Sequence, residues 1–193
     1  MVLGFVLLYL LTSIAIGLFA ARKVSTSADY AVAGRSLPLY IVVATTFATW
    51  FGSETVLGVS AVFIKDGLGG VVEDPFGAAF CLVLVGLFFA KRLYQHNLLT
   101  LGDYFRERYG TIVEVLMSVA IIVSYLGWVA AQIKALGLVF HMLDPTMFSQ
   151  TQGMLVGAAI VTTYTLFGGM WSVALTDFFQ MIVIVLGLFT IAY

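Results

Sequence analysis

LYIVVATTFATWFGSETVLGVSAVFI, residues Leu39 to Ile64, is long enough to be a membrane helix, yet it carries Glu54 in its middle beside Gly52, Ser53 and Thr55. A carboxylate at bilayer depth costs roughly a few kcal/mol or more unless it faces protein, water or a cation, so the default reading of Glu54 is a functional site. The small polar residues, with Gly52 and Gly58, also mark where a helix unwinds most readily, and unwinding frees carbonyls that can coordinate an ion. A straight helix over the whole stretch would measure ~39 Å against a hydrocarbon core of ~30 Å, so a break or a strong tilt is expected.

The rest of the chain is of the same kind. Of its 193 residues, 62% are hydrophobic and only 10% charged, which excludes a soluble domain of this size. Six apolar stretches of spanning length can be read: Val2 to Ala21, Leu39 to Ile64, Pro75 to Ala90, Ile112 to Phe140, Gln150 to Phe167 and Leu175 to Tyr193. The segments between them are too short to fold alone, so residues 1–193 form a single integral membrane domain. The first stretch is a retained helix rather than a signal peptide, because Arg22 and Lys23 follow it instead of preceding it. The segments after the first and third stretches hold Arg22, Lys23, Arg35, Lys91, Arg92, Arg106 and Arg108, whereas those after the second and fourth hold only Lys65 among Asp66, Glu73, Asp74 and Asp144. The positive-inside rule then places the N-terminus outside and the basic loops in the cytoplasm.

Little points to chemistry. The single cysteine, Cys81, is read as a buried inert thiol, and the two histidines, His96 and His141, fall in loops on opposite sides and share no metal. No HExxH, nucleotide-binding loop or Ser/His/Asp spacing occurs, so no enzyme activity and no organic cofactor are expected. The remaining signals are local. Asp74-Pro75 reads as an N-cap followed by a first-turn proline, and Thr100 to Asp103 reads as either a capping box opening a surface helix that Gly110 stops, or a solvated connector. Lys134 either snorkels outward or pairs with a carboxylate such as Glu54; Gly153 and Gly157 let two helices approach closely. Phe167-Gly-Gly-Met-Trp171 is a turn, and Asp177 beyond it suits a helix N-terminus.

AGRSLP, ATWFGSETVLG, TLGDYFRERYG and YTLFGGMWSVALTDFFQ, in this order and spacing, resemble the first half of the sodium/solute symporter family, which includes sodium-coupled sugar, proline, pantothenate and choline carriers. The likeness covers nearly the whole chain. It implies an all-α membrane protein with six transmembrane helices: a leading helix, then the first five-helix repeat of an inverted-repeat, leucine-transporter-like fold, with substrate and sodium held where the first repeat helix unwinds. A chain ending at Tyr193 inside an apolar helix then reads as the part of a longer protein that lacks the second repeat, which would be its partner.

Carried over to matching positions, the resemblance places backbone carbonyls of Ala48 and Phe51 at the sodium, the coupling ion. It places Trp50, Glu54, Thr55 and Asp74 at the substrate, and Asp177 on the cytoplasmic route of the released cation. Trp50 stands where the proline carriers have a functional aspartate, so that substrate is not implied. Trp50 and Glu54, four apart, would share a face of an unbroken helix, and an indole beside a carboxylate suits an ammonium group; packing alone would also explain the tryptophan. The function implied is sodium-coupled symport of a small polar organic solute across the plasma membrane. The alternative is the solute-sensing membrane domain of a symporter-like histidine kinase.

Overall fold

The computed structural model describes residues 2–193, with side-chain burial from residue 4 onward. Among the described residues the chain is 88% helix and contains no strand. It divides into two compact units, Met1–Trp50 with Ala130–Tyr193, and Phe51–Val129.

In the first unit, α1 (Val2–Ala21) covers the first apolar stretch from end to end. A short helix, α2 (Ser27–Val32), follows; Thr26 and Asp29 close a capping box around its start, and Ala33 ends it in the left-handed region. The α2 segment meets α3 (Leu39–Trp50) at a bend of 107°. α8 (Thr111–Leu143) gives its last part to this unit and is joined by a tight turn to α9 (Gln150–Ala192). In that turn Asp144 accepts from the backbone of Thr146 and Met147, and His141 Nδ1 lies 2.8 Å from the Phe148 carbonyl oxygen. Ser149 and Gln152 cap the start of α9 reciprocally.

α9 is the element on which this unit is built, since α1, α2 and α3 all pack against it. It is 43 residues long and interrupted at Gly169, whose φ of 48° and ψ of −139° leave the helical region. The ring and backbone of Tyr30 in α2 sit where a Gly169 side chain would go, so glycine is required there twice over. Before this kink, Gly153 packs on α8 so closely that a Cβ would lie 2.7 Å from Phe140 Cβ and 3.0 Å from the Gly137 carbonyl. The small-residue spacing at Gly153 and Gly157 therefore does the packing expected of it. After the kink, α9 runs antiparallel to α1. Ser172 donates its hydroxyl to the Gly17 carbonyl, the Tyr9 and Phe179 rings stack at 5.8 Å, and the Lys23 ammonium lies 4.4 Å from the Trp171 ring centroid.

In the second unit, Glu54–Val59 form a wide π-helical turn that leads into α4 (Ser60–Asp66). The glycine-rich stretch Gly67–Val71 makes a 3₁₀ turn, followed by a second wide turn, Val72–Gly77. Then come α5 (Ala78–Val85), a third wide turn at Gly86–Ala90 and α6 (Lys91–Gln95). The capping-box reading at Thr100 holds: Thr100 and Asp103 bond reciprocally at the head of α7 (Leu101–Tyr109), and Gly110, at φ 87°, ends it.

Among the described residues, four helical runs are long and apolar enough to cross a membrane, or five if the bent α2–α3 pair is one span. The expected count of six differs because neighbouring stretches merge. The fifth and sixth lie within α9, ~65 Å if it were straight, and Glu54–Gln95 forms one 42-residue run. Three local expectations are corrected. Cys81 is exposed on α5, not buried. Asp74 has the extended backbone a residue before proline favours (φ −133°, ψ 121°), but the regular helix begins only at Ala78, after the wide turn. Asp177 does not cap a helix, because the second part of α9 starts just after Gly169, about two turns earlier.

Candidate functional site

The second apolar stretch is broken where its polar residues fall: α3 ends at Trp50, and the next turn begins at Glu54. The approach to the break is a run of threonines. Thr45, Thr46 and Thr49 donate their hydroxyls to the carbonyls of Ile41, Val42 and Thr45 at 2.9–3.0 Å, a back-bonding pattern that weakens and bends helices. The Ala48 carbonyl lies in the last turn of α3.

On the far side, the Val56 N–H bonds to the Gly52 carbonyl at 3.1 Å, and the wide turn from Glu54 carries the chain onward. Glu54 is exposed and Thr55 half-buried, while Trp50, on the last turn of α3, is 44% exposed. Because the helix stops at Trp50, Trp50 and Glu54 do not share a face of one continuous helix. Within the second unit, the turn Val72–Gly77 packs against the turn Glu54–Val59. The fold thus brings the Asp74 segment to the Glu54 segment, a proximity that sequence separation hides.

Asp177 belongs to the first unit. It is half-buried on α9, among the buried Ser172, Ala174 and Thr176, and within electrostatic reach of Tyr9 and Tyr164. Neither tyrosine stood out in the sequence. The only trace was the i, i+4, i+8 row Tyr9, Ser13 and Gly17 on an otherwise apolar helix, which marks the face α1 turns to α9. Lys134 is exposed on α8.

Several charged groups outside the apolar runs are held by local bonds. Asp103 lies below the usual carboxylate range because the Thr100 N–H, then the Thr100 hydroxyl and the Leu99 N–H, donate to its ionised form. Asp144 is lowered in the same way, by Thr146 first and then by the Met147 backbone. Arg106 and Glu114 approach to 3.7 Å across the junction of α7 and α8.

A multi-helix membrane protein with one span broken at a polar, carboxylate-bearing segment is the class that fold and site together define. The chain matches the model of the sodium:solute symporter family over residues 30–193 and belongs to that family. Among its relatives, the High-affinity choline transporter 1 of Drosophila melanogaster is 31% identical over 97% of this chain and 30% of its own length. The protein of the same name from Torpedo marmorata is 33% identical over 97% of this chain and 33% of its own. The sodium/glucose cotransporter of Vibrio parahaemolyticus is 26% identical over 96% of this chain and 35% of its own. The chain therefore spans about a third of the length of these relatives.

Proposed function

We propose that this chain is the leading helix and first repeat of a sodium-coupled symporter for a small polar organic solute in the plasma membrane, working with a second repeat that completes the site. The observation that carries the reading is the break between Trp50 and Glu54 in an apolar segment of a member of this family. Unwound backbone at that depth is stable only where it is buried in protein or lines a water-filled cavity. Ala48 and Phe51 carbonyls suit sodium, which takes hard oxygen donors in place of its water. Trp50, Glu54, Thr55 and Asp74 would face the solute, and Asp177 the cation's way to the cytoplasm.

Two relatives of differing substrate bear on the solute. An exposed indole and a carboxylate flanking the break favour an ammonium group over a neutral sugar, in keeping with the choline transporters at 31% and 33% identity. The N-terminus is placed outside. On that placement the basic end of α1, with Lys23 beside Trp171 just past the kink of α9, lies on the cytoplasmic side.

The test is uptake of radiolabelled choline and of radiolabelled glucose by the complete protein in proteoliposomes, with an inward sodium gradient or an equal potassium gradient. Choline uptake that requires sodium is expected. Sodium-driven glucose uptake without choline uptake would reassign the solute, and indifference to sodium would overturn the symport reading.

A further inference from the structure

The interface of α1 with the second part of α9 is lined by hydroxyls, and among its serines and threonines nearly all are committed. Thr12 donates to the Leu8 carbonyl at 2.8 Å, Ser172 donates to the Gly17 carbonyl, and Thr176 reaches the carbonyls of Ser172 and Val173 at 2.9 and 3.0 Å. Ser13 is the exception. Its side chain is 3% exposed, and although it interacts with Tyr9 one turn away, its oxygen makes no hydrogen bond of normal geometry. It is the one buried side-chain polar atom left so among the described residues. A hydroxyl buried without a partner costs about 1–3 kcal/mol, so it needs a reason other than packing.

The register supplies one. Gly17 is opposite Ser172 and Tyr9 is opposite Phe179, so Ser13, midway between Gly17 and Tyr9, comes level with the turn of α9 that carries Thr176 and Asp177. Tyr164 packs against Gly17, one turn along α1 from Ser13, and both Tyr9 and Tyr164 lie within electrostatic reach of Asp177. A carboxylate, an unspent hydroxyl and two phenols are thus gathered in one stretch of helix interface. That is a set of hard oxygen donors of the kind a partly dehydrated monovalent cation takes.

We infer that α1 is a working wall of the cation's route: the Ser13 hydroxyl, with Asp177, receives the sodium ion on its way out, so that α1, all of which precedes the matched residues 30–193, is more than an anchor. This rests on the symport reading given above and adds to it a residue on a helix that reading does not use.

The experiment compares the complete wild-type protein with Ser13→Ala, Thr12→Val, Asp177→Asn and the double variant of Ser13 and Asp177 in proteoliposomes. Sodium-driven choline uptake and its inhibition by internal sodium are measured beside thermal unfolding in detergent. Removing an unpartnered buried hydroxyl leaves the fold as stable or more so, so Ser13→Ala should unfold at the wild-type temperature or above. It should nevertheless lower maximal uptake by about three-fold or more and sharpen inhibition by internal sodium, with the KM for choline unchanged. Thr12→Val, whose hydroxyl is spent within α1, should behave as wild type. The double variant should lose little beyond Asp177→Asn alone, as residues acting on one ion do. Wild-type kinetics in Ser13→Ala, or full additivity with Asp177→Asn, would overturn the role of α1 while leaving the symport reading intact. So would a loss of uptake matched by a fall in unfolding temperature. No sodium-driven uptake by the wild-type protein would remove the reading on which the inference stands.

Discussion

The Ser172 hydroxyl donates to the Gly17 carbonyl from a position with no exposed surface, tying α1 to the second part of α9 at the level of the Gly169 kink. The bond fixes the register from which the neighbouring contacts of Tyr9 with Phe179 and of Lys23 with Trp171 follow. Loss of the donor by Ser172→Ala should cost about 0.5–1.5 kcal/mol, because the Gly17 carbonyl keeps its place in the α1 ladder. Ser172→Leu should cost more, since Gly168 and Gly17 leave no room for it. Thermal unfolding in detergent checks the order: wild type, then alanine, then leucine.

The joint of α8 and α9 sets the second expectation. Gly153→Leu must displace Phe140 and the Gly137 backbone, so a loss of about 1–3 kcal/mol is expected, as for overpacking elsewhere. Gly4→Leu, where nothing lies within 4 Å of the added atom, should leave unfolding in detergent unchanged. Equal effects of the two would show that close packing at Gly153 is not what holds this hairpin.

Gly169 tests the kink itself. An alanine there combines a positive φ with clashes against both the ring and the carbonyl oxygen of Tyr30, and pairing it with Tyr30→Ala removes the ring clash alone. The double variant should recover only the part of the loss due to the ring, because the Tyr30 carbonyl oxygen still blocks the added Cβ, and should retain about 1 kcal/mol or more from that contact and the backbone conformation. Full recovery would mean that the helix can straighten at no cost.

The capping box at α7 makes a prediction in pH. Asp103 has a folded pKa below its unfolded value of about 3.9, so its contribution is complete above that value and is lost as pH falls through the folded pKa. Amide exchange at Leu99 and Thr100, whose N–H groups donate to Asp103, should be slow near neutrality and accelerate as pH drops below about 4, relative to the intrinsic rate. Thr100→Ala should weaken the same cap by about 0.5–2 kcal/mol at neutral pH.

Glu54 and Asp177 should separate in function. Glu54→Gln keeps shape and hydrogen bonding but removes the charge an ammonium group needs, so it should raise the KM for choline about ten-fold or more with little change in sodium dependence. Asp177→Asn should slow sodium-coupled turnover and leave equilibrium choline binding nearly intact. Equal loss of binding in both would sink the division of labour.

Much of this molecule can be read residue by residue. α1 coincides with the apolar stretch Val2 to Ala21, the Thr100 and Gly110 signals bound α7, and the polar patch at Gly52 to Thr55 marks where α3 stops. These features are local, since capping, helix-breaking composition and hydrophobic length act within a few residues of where they are written. The end of α3 also shows why the face shared by Trp50 and Glu54 failed: the same polar residues that suggested a site removed the helix on which the spacing argument depended.

The sequence by itself determined that this is a helical membrane protein with an interrupted span bearing Glu54, because hydropathy and chain-breaking residues act through bilayer thickness and backbone hydrogen bonding alone. Only the tertiary structure decided that Tyr30 of α2 lies against the Gly169 turn, that the Asp74 turn lies on the Glu54 turn, and that Ser13 comes level with Asp177. Those relations depend on which helix faces meet and in what register. Packing sets that choice among residues far apart in the chain, and no local pattern encodes it.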